Sequence, residues 1–235
     1  MKKITLIALL FLISTVSTIA QTSTVKLKES KATVDAVPTQ VLPVVEFDSI
    51  HFAKSSEMLD EDLYWTIIAN SLKDNLPQED REIILANEVE KLSPKEIIGF
   101  RLRTDKLLYD TYTSNLWCAA FLMNDGTTDA SSFDYFRCWL ISQGKETFYK
   151  AVANPDSLVN LLKEGQTTYE FEGFWFVAMN AFLNKTNHEI YAYIDYDTFV
   201  TNDENYPLIN FTWSVDEPKT MEKICPILFK KLWKK

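Results

Sequence analysis

Residues 93–124 read SPKEIIGFRLRTDKLLYDTYTSNLWCAAFLMN. Ser93, Pro94 and Glu96 form a helix start: a hydroxyl to cap the first turn, a proline with no amide to waste, and a carboxylate reaching back three residues. From there Ile97, Phe100, Leu107, Leu108, Tyr112, Leu116, Ala119, Ala120 and Met123 recur at helical spacing. An unbroken helix over these residues would run about 45 Å, too long for a small domain. The β-branched and polar run Thr113-Ser114-Asn115 is therefore the expected break. The stretch makes the chain mainly α.

The flanks keep the same period. Upstream, Asp60 precedes Leu63, Ile67, Ile68 and Leu72, and Pro77 opens a second segment with Glu79 and Asp80 in its first turn, where the helix dipole favours them. Downstream, Asn124 to Asp129 has turn composition. Ser131 or Ser132 then starts FDYFRCWLISQ, and Gly144 closes it. Shorter helices are expected over Lys145–Ala153 and Ser157–Lys163, and a largely apolar one over Tyr169–Leu183, which marks it as central. Pro218 starts the last helical segment and Pro226 should kink or split it. Val44–Phe52 and Ile190–Val200 are β-branched and aromatic, and leave room for a minor two-strand element. The expected architecture is a single irregular bundle of about seven to eight helices.

The N-terminus carries a different signal. Lys2 and Lys3 precede an apolar run to Ile13, and small and hydroxyl residues lead to Ala20. That order is a secretory signal peptide over 1–20, too short in its apolar part to span a bilayer. Residues 21–57 read as a mobile spacer with one short strand, and 58–235 as the helical domain. A periplasmic or secreted location follows. The formal charge of −9 disfavours nucleic acid and anionic membranes, so partners are expected to be a protein or a small ligand. Cys118, Cys138 and Cys225 fall on apolar patterns and read as buried thiols, with a Cys118–Cys138 bridge as the alternative.

Catalytic signatures are sparse. His51 and His188 are far apart, no nucleophile elbow or phosphate loop occurs, and only five glycines are present. No cofactor is expected. One dense cluster stands out, LWCAAFLMNDGTTDASSFDYFRCWLISQG over 116–144. Two antiparallel helices joined by its turn would bring Asp125, Asp129, Asp134 and Arg137 to one end, with Trp117 and Trp139 adding aromatic surface. Asp134 and Arg137 are three apart and can pair. Such a group suits a binding site for a cation, a polar ligand or a basic side chain of a partner, and the expected function is a non-enzymatic binding or interaction module, with the capping of a basic partner as a variant. The alternative is a metal-assisted, hydrolase-like enzyme in which Asp125, Asp129 and Asp134 hold the metal and Arg137 an anionic group. A third reading is structural: turn residues, a dipole-favoured aspartate and an ordinary ion pair.

At this cluster the sequence resembles the bacterial family catalogued as domain of unknown function 4240. The residues that carry the resemblance are Asp60-Glu61-Asp62-Leu63-Tyr64-Trp65, Leu92-Ser93-Pro94-Lys95-Glu96-Ile97 with Phe100, and Leu116-Trp117-Cys118-Ala119-Ala120-Phe121. They continue with Phe133-Asp134-Tyr135-Phe136-Arg137-Cys138-Trp139-Leu140-Ile141 and Gly144, then Asn154-Pro155-Asp156-Ser157-Leu158, and Trp213 with Pro226-Ile227-Leu228. The resemblance covers about Asp60 to Lys235 and implies a shared helical fold, with no activity attached. Where the family tends to carry adjacent aspartates, this chain has Asp129-Ala130-Ser131-Ser132.

Overall fold

A computed structural model describes residues 53–199 and 206–234. The expected signal peptide, the spacer up to residue 52 and the Val44–Phe52 strand lie outside the described residues. What is described is mainly α: α1 (Glu61–Ser71), α2 (Gln78–Glu90), α3 (Pro94–Asp110), α4 (Ser114–Met123), α5 (Ala130–Ile141), α6 (Lys145–Ala153), α7 (Glu172–Thr186), α8 (Pro218–Ile224) and α9 (Pro226–Leu232). Three short 3-10 segments join them, at Lys73–Asn75, Pro155–Leu161 and Ile190–Tyr193. The described helices thus outnumber the seven or eight expected, partly because Pro226 splits the last segment into two.

The capping box of α3 forms as its sequence requires: Ser93 Oγ accepts from the Glu96 amide, and the Glu96 carboxylate accepts from the Ser93 amide. The chain breaks after Asp110. Thr111 turns its hydroxyl onto the carbonyls of Leu107 and Leu108 at 2.7 and 3.0 Å. Thr113 then caps α4 by accepting from the Leu116 amide. Hydroxyl side chains that compete for backbone groups stop one helix and start the next within three residues.

α7 is the central helix, packed against α2, α3 and α5. Phe174, Val177, Ala178, Ala181 and Phe182 are all buried on it. α1 and α2 cover one side of this core, and α8 and α9 cover α4. The segment before α1 docks on α3, where the Leu59 amide donates to the Gly99 carbonyl at 2.9 Å. A Cβ on Gly99 would sit 2.7 Å from the Leu59 nitrogen, so the approach needs glycine.

The expected strand at Ile190–Val200 is not formed. Ile190–Tyr193 is a 3-10 turn, followed by one parallel bridge between Ser55 and Ile194. Among the described residues this bridge is the only β pairing of the segment, and β propensity alone does not extend it. Ser157–Lys163, expected as an α-helix, is the 3-10 segment Pro155–Leu161.

Two arginines lie almost wholly inside. Arg101 pairs through Nε with Asp105 Oδ1 at 2.8 Å, and its guanidinium sits 4.7 Å from the Trp175 ring and 5.5 Å from that of Tyr191. Arg137 is described with the site below. All three cysteines are free and buried. The Cys225 thiol is hydrogen-bonded by Cys118, which with burial pushes its pKa up. Cys118 is thus matched with Cys225 on the C-terminal segment, and not with Cys138.

Candidate functional site

The turn between α4 and α5 forms where its composition places it. Asp125 and Gly126 both take left-handed backbone, with φ of 55° and 75°. Gly126 returns its amide to the Phe121 carbonyl at 2.8 Å. Asp129 is the N-cap of α5, its Oδ1 accepting from the Ser132 amide at 2.8 Å.

A second segment closes the site from the far side. Asn124 is buried, and its side chain holds residues 169–170 in place. Its Oδ1 accepts from the Tyr169 amide at 2.8 Å, and its Nδ2 donates to Glu170 Oε1 at 3.3 Å. The result is an open concavity of about 560 Å³ lined by Asn124, Asp125, Thr127, Thr128, Asp129, Ser132, Thr167, Thr168 and Glu170. It presents carboxylates at Asp125, Asp129 and Glu170, several hydroxyls and no basic side chain. Burial raises the Glu170 carboxyl above the usual range, the charges of Asp129 and Glu172 raise it further, and a hydrogen bond from Ser132 opposes them. Chemically, the surface can accept hydrogen bonds and stabilise positive charge.

The six residues singled out in the sequence do not share this site. Asp125 and Asp129 line it. Asp134 lies five residues beyond the cap, about 140° round the helix, and pairs with Arg137. Arg137 is fully buried. Its guanidinium also donates to the carbonyls of Leu108 and Phe133, and it lies 4.8–4.9 Å from the rings of Tyr112, Phe133 and Tyr206. It thereby closes the C-terminal end of α3, whose last carbonyls lack helical partners. No surface anion can reach it, which removes the anion-holding role.

Trp117 stacks on Phe133 at 4.3 Å in a separate aromatic group with Tyr112 and Phe211. Trp139 is buried, edge-on to Tyr169. Among the described residues no three His, Cys, Asp or Glu side chains are placed to hold a metal ion. The convergence of Asp125, Asp129 and Asp134 on a metal is therefore not formed. Glu170, Thr167 and Thr168 were missed because they lie about forty residues downstream in sequence. The Asn124 side chain ties them to the turn, and Ser132 adds a hydrogen bond to Glu170.

The family model described as "Protein of unknown function (DUF4240)" matches residues 59–184. That span contains the whole concavity and both buried arginines, and ends before α8 and α9. Trp213 and Pro226-Ile227-Leu228 therefore lie beyond the matched residues. No curated protein matches the chain, and no solved structure does.

Proposed function

The chain belongs to the DUF4240 family, and we propose that it is an exported, non-enzymatic interaction module whose acidic concavity takes a basic group of a partner. One observation carries the reading: Asp125, Asp129 and Glu170 line one open surface with no basic side chain among them. A lysine or arginine side chain placed there would bring positive charge to a carboxyl whose pKa is raised first by burial and then by the charges of Asp129 and Glu172. The chain's overall acidity would speed its encounter with a basic partner. Export is supported by the order of Lys2, Lys3, the apolar run and Ala20. Among the described residues no helix is long and apolar enough to cross a membrane.

Asp129→Asn is the discriminating change, since asparagine caps a helix as well as aspartate does and only the charge is lost. With an arginine-rich peptide as probe, the variant should melt close to the parent and bind more weakly, with a smaller dependence on salt. Unchanged affinity and unchanged salt dependence would remove the concavity from the reading.

A further inference from the structure

A second cavity, on the other side of the Tyr169 segment, has the opposite chemistry. It measures about 400 Å³, within the range of small-ligand pockets. Its walls combine apolar and polar groups: Leu162, Trp139 and Tyr169 on one hand, Arg81, Gln143 and Gln166 on the other. Arg81 is the unusual member. Nη2 donates to the Ser142 carbonyl at 2.5 Å, closing the end of α5. Nε is buried and, among the described residues, has no hydrogen-bond partner. No carboxylate of the described residues pairs with the guanidinium, and burial lowers its pKa. The two almost wholly buried arginines differ, since Arg101 has Asp105 and Arg137 has Asp134.

A half-buried guanidinium whose Nε is shielded and unbonded among the described residues has a donor to spare, and an anion that meets it gains a charge-assisted hydrogen bond. The start of α2 adds to this. Pro77 at its N-cap position makes no side-chain capping bond, and Pro77 and Gln78 both line the cavity. First-turn amides of a helix favour negative charge, part of which Glu79 and Asp80 already supply here. Lys163 at the rim adds a positive charge on the approach.

We propose that this cavity binds a small organic anion, with the anionic group against Arg81 and an apolar body against Trp139 and Leu162. The site is independent of the acidic concavity, and its ligand has the opposite charge.

Calorimetric titration of the intact protein with benzoate, phenyl phosphate and neutral benzamide tests it. At least one anion should bind saturably and at least about tenfold more tightly than benzamide, since only an anion compensates Arg81. Whichever anion binds more tightly identifies the head group as carboxylate or phosphate. Arg81→Gln should abolish the preference for the anion. If that variant fails to fold through loss of the Ser142 contact, Leu162→Trp fills the cavity with Arg81 in place, and should abolish binding altogether. Equal binding of benzamide and the anions, or anion binding undiminished in Leu162→Trp, would overturn the proposal.

Discussion

Arg137 shows how far a residue's role depends on depth. In sequence it is a cation three positions from an aspartate, and so a candidate for holding a ligand. In the fold its charge is distributed over the Asp134 carboxylate, the Leu108 and Phe133 carbonyls and three aromatic rings. Replacing it with methionine keeps much of the volume but leaves those acceptors unmet. Arg137→Met should cost about 3 kcal/mol, read by chemical denaturation. Asp129 sits at the other extreme, exposed and acting on one amide. Asp129→Ala should cost about 1 kcal/mol through the lost cap, and Asp129→Asn only a few tenths. The pairing of Asp134 with Arg137 and the turn at Asp125 were legible in the sequence, because both are local. The burial of Arg137 was not, because Leu108 and Tyr206 reach it from distant parts of the chain.

Among the elements, local signals placed the helix ends well. Ser93, Thr113 and Pro226 each mark a boundary that forms, since capping and the missing proline amide act within one turn. Over 190–199 the local signal did not suffice: β propensity depends on context, and among the described residues the segment forms only the single bridge to Ser55. Close approach between elements is equally invisible in sequence, and two glycines separate its kinds. A Cβ on Gly99 meets the backbone of Leu59 and Glu57, which cannot move without undocking the segment. On Gly173 the three nearest atoms all belong to the Glu82 carboxylate, the end of a flexible side chain. Gly99→Ala should therefore destabilise by about 2 kcal/mol, while Gly173→Ala is tolerated; thermal melts of the two variants decide.

Seen as a whole, the molecule extends its core beyond the residues matched by the family model. Asp156 is buried, and its carboxylate accepts from the amides of Ile227 and Leu228 at 2.8–3.0 Å. It thus ties the start of α9 to the 3-10 segment. Met221, Cys225 and Leu228 are buried there. Asp156→Ala should leave those amides unmet and raise hydrogen exchange across α9 first, with the α3–α7 core following only at global unfolding.

The acidic concavity joins distant parts of the fold in the same way. Its half at 124–129 was legible as a turn, and its half at 167–170 was not, since Asn124 gives no sign in sequence of what its amide will hold. Because the Glu170 pKa is raised in the folded state, its contribution to stability is fully present below the ordinary value of 4.5 and is lost as pH rises through the folded value. Glu170→Gln should therefore be more stable than the parent at neutral pH, with the gain vanishing below about pH 4.

Amide chemical-shift mapping of the labelled protein with an arginine-rich peptide tests the interaction reading most directly. Shifts should concentrate at residues 124–132 and 167–170, diminish as salt is raised and weaken in Asp129→Asn. Shifts confined to other surfaces, or none at concentrations where the peptide binds, would contradict it.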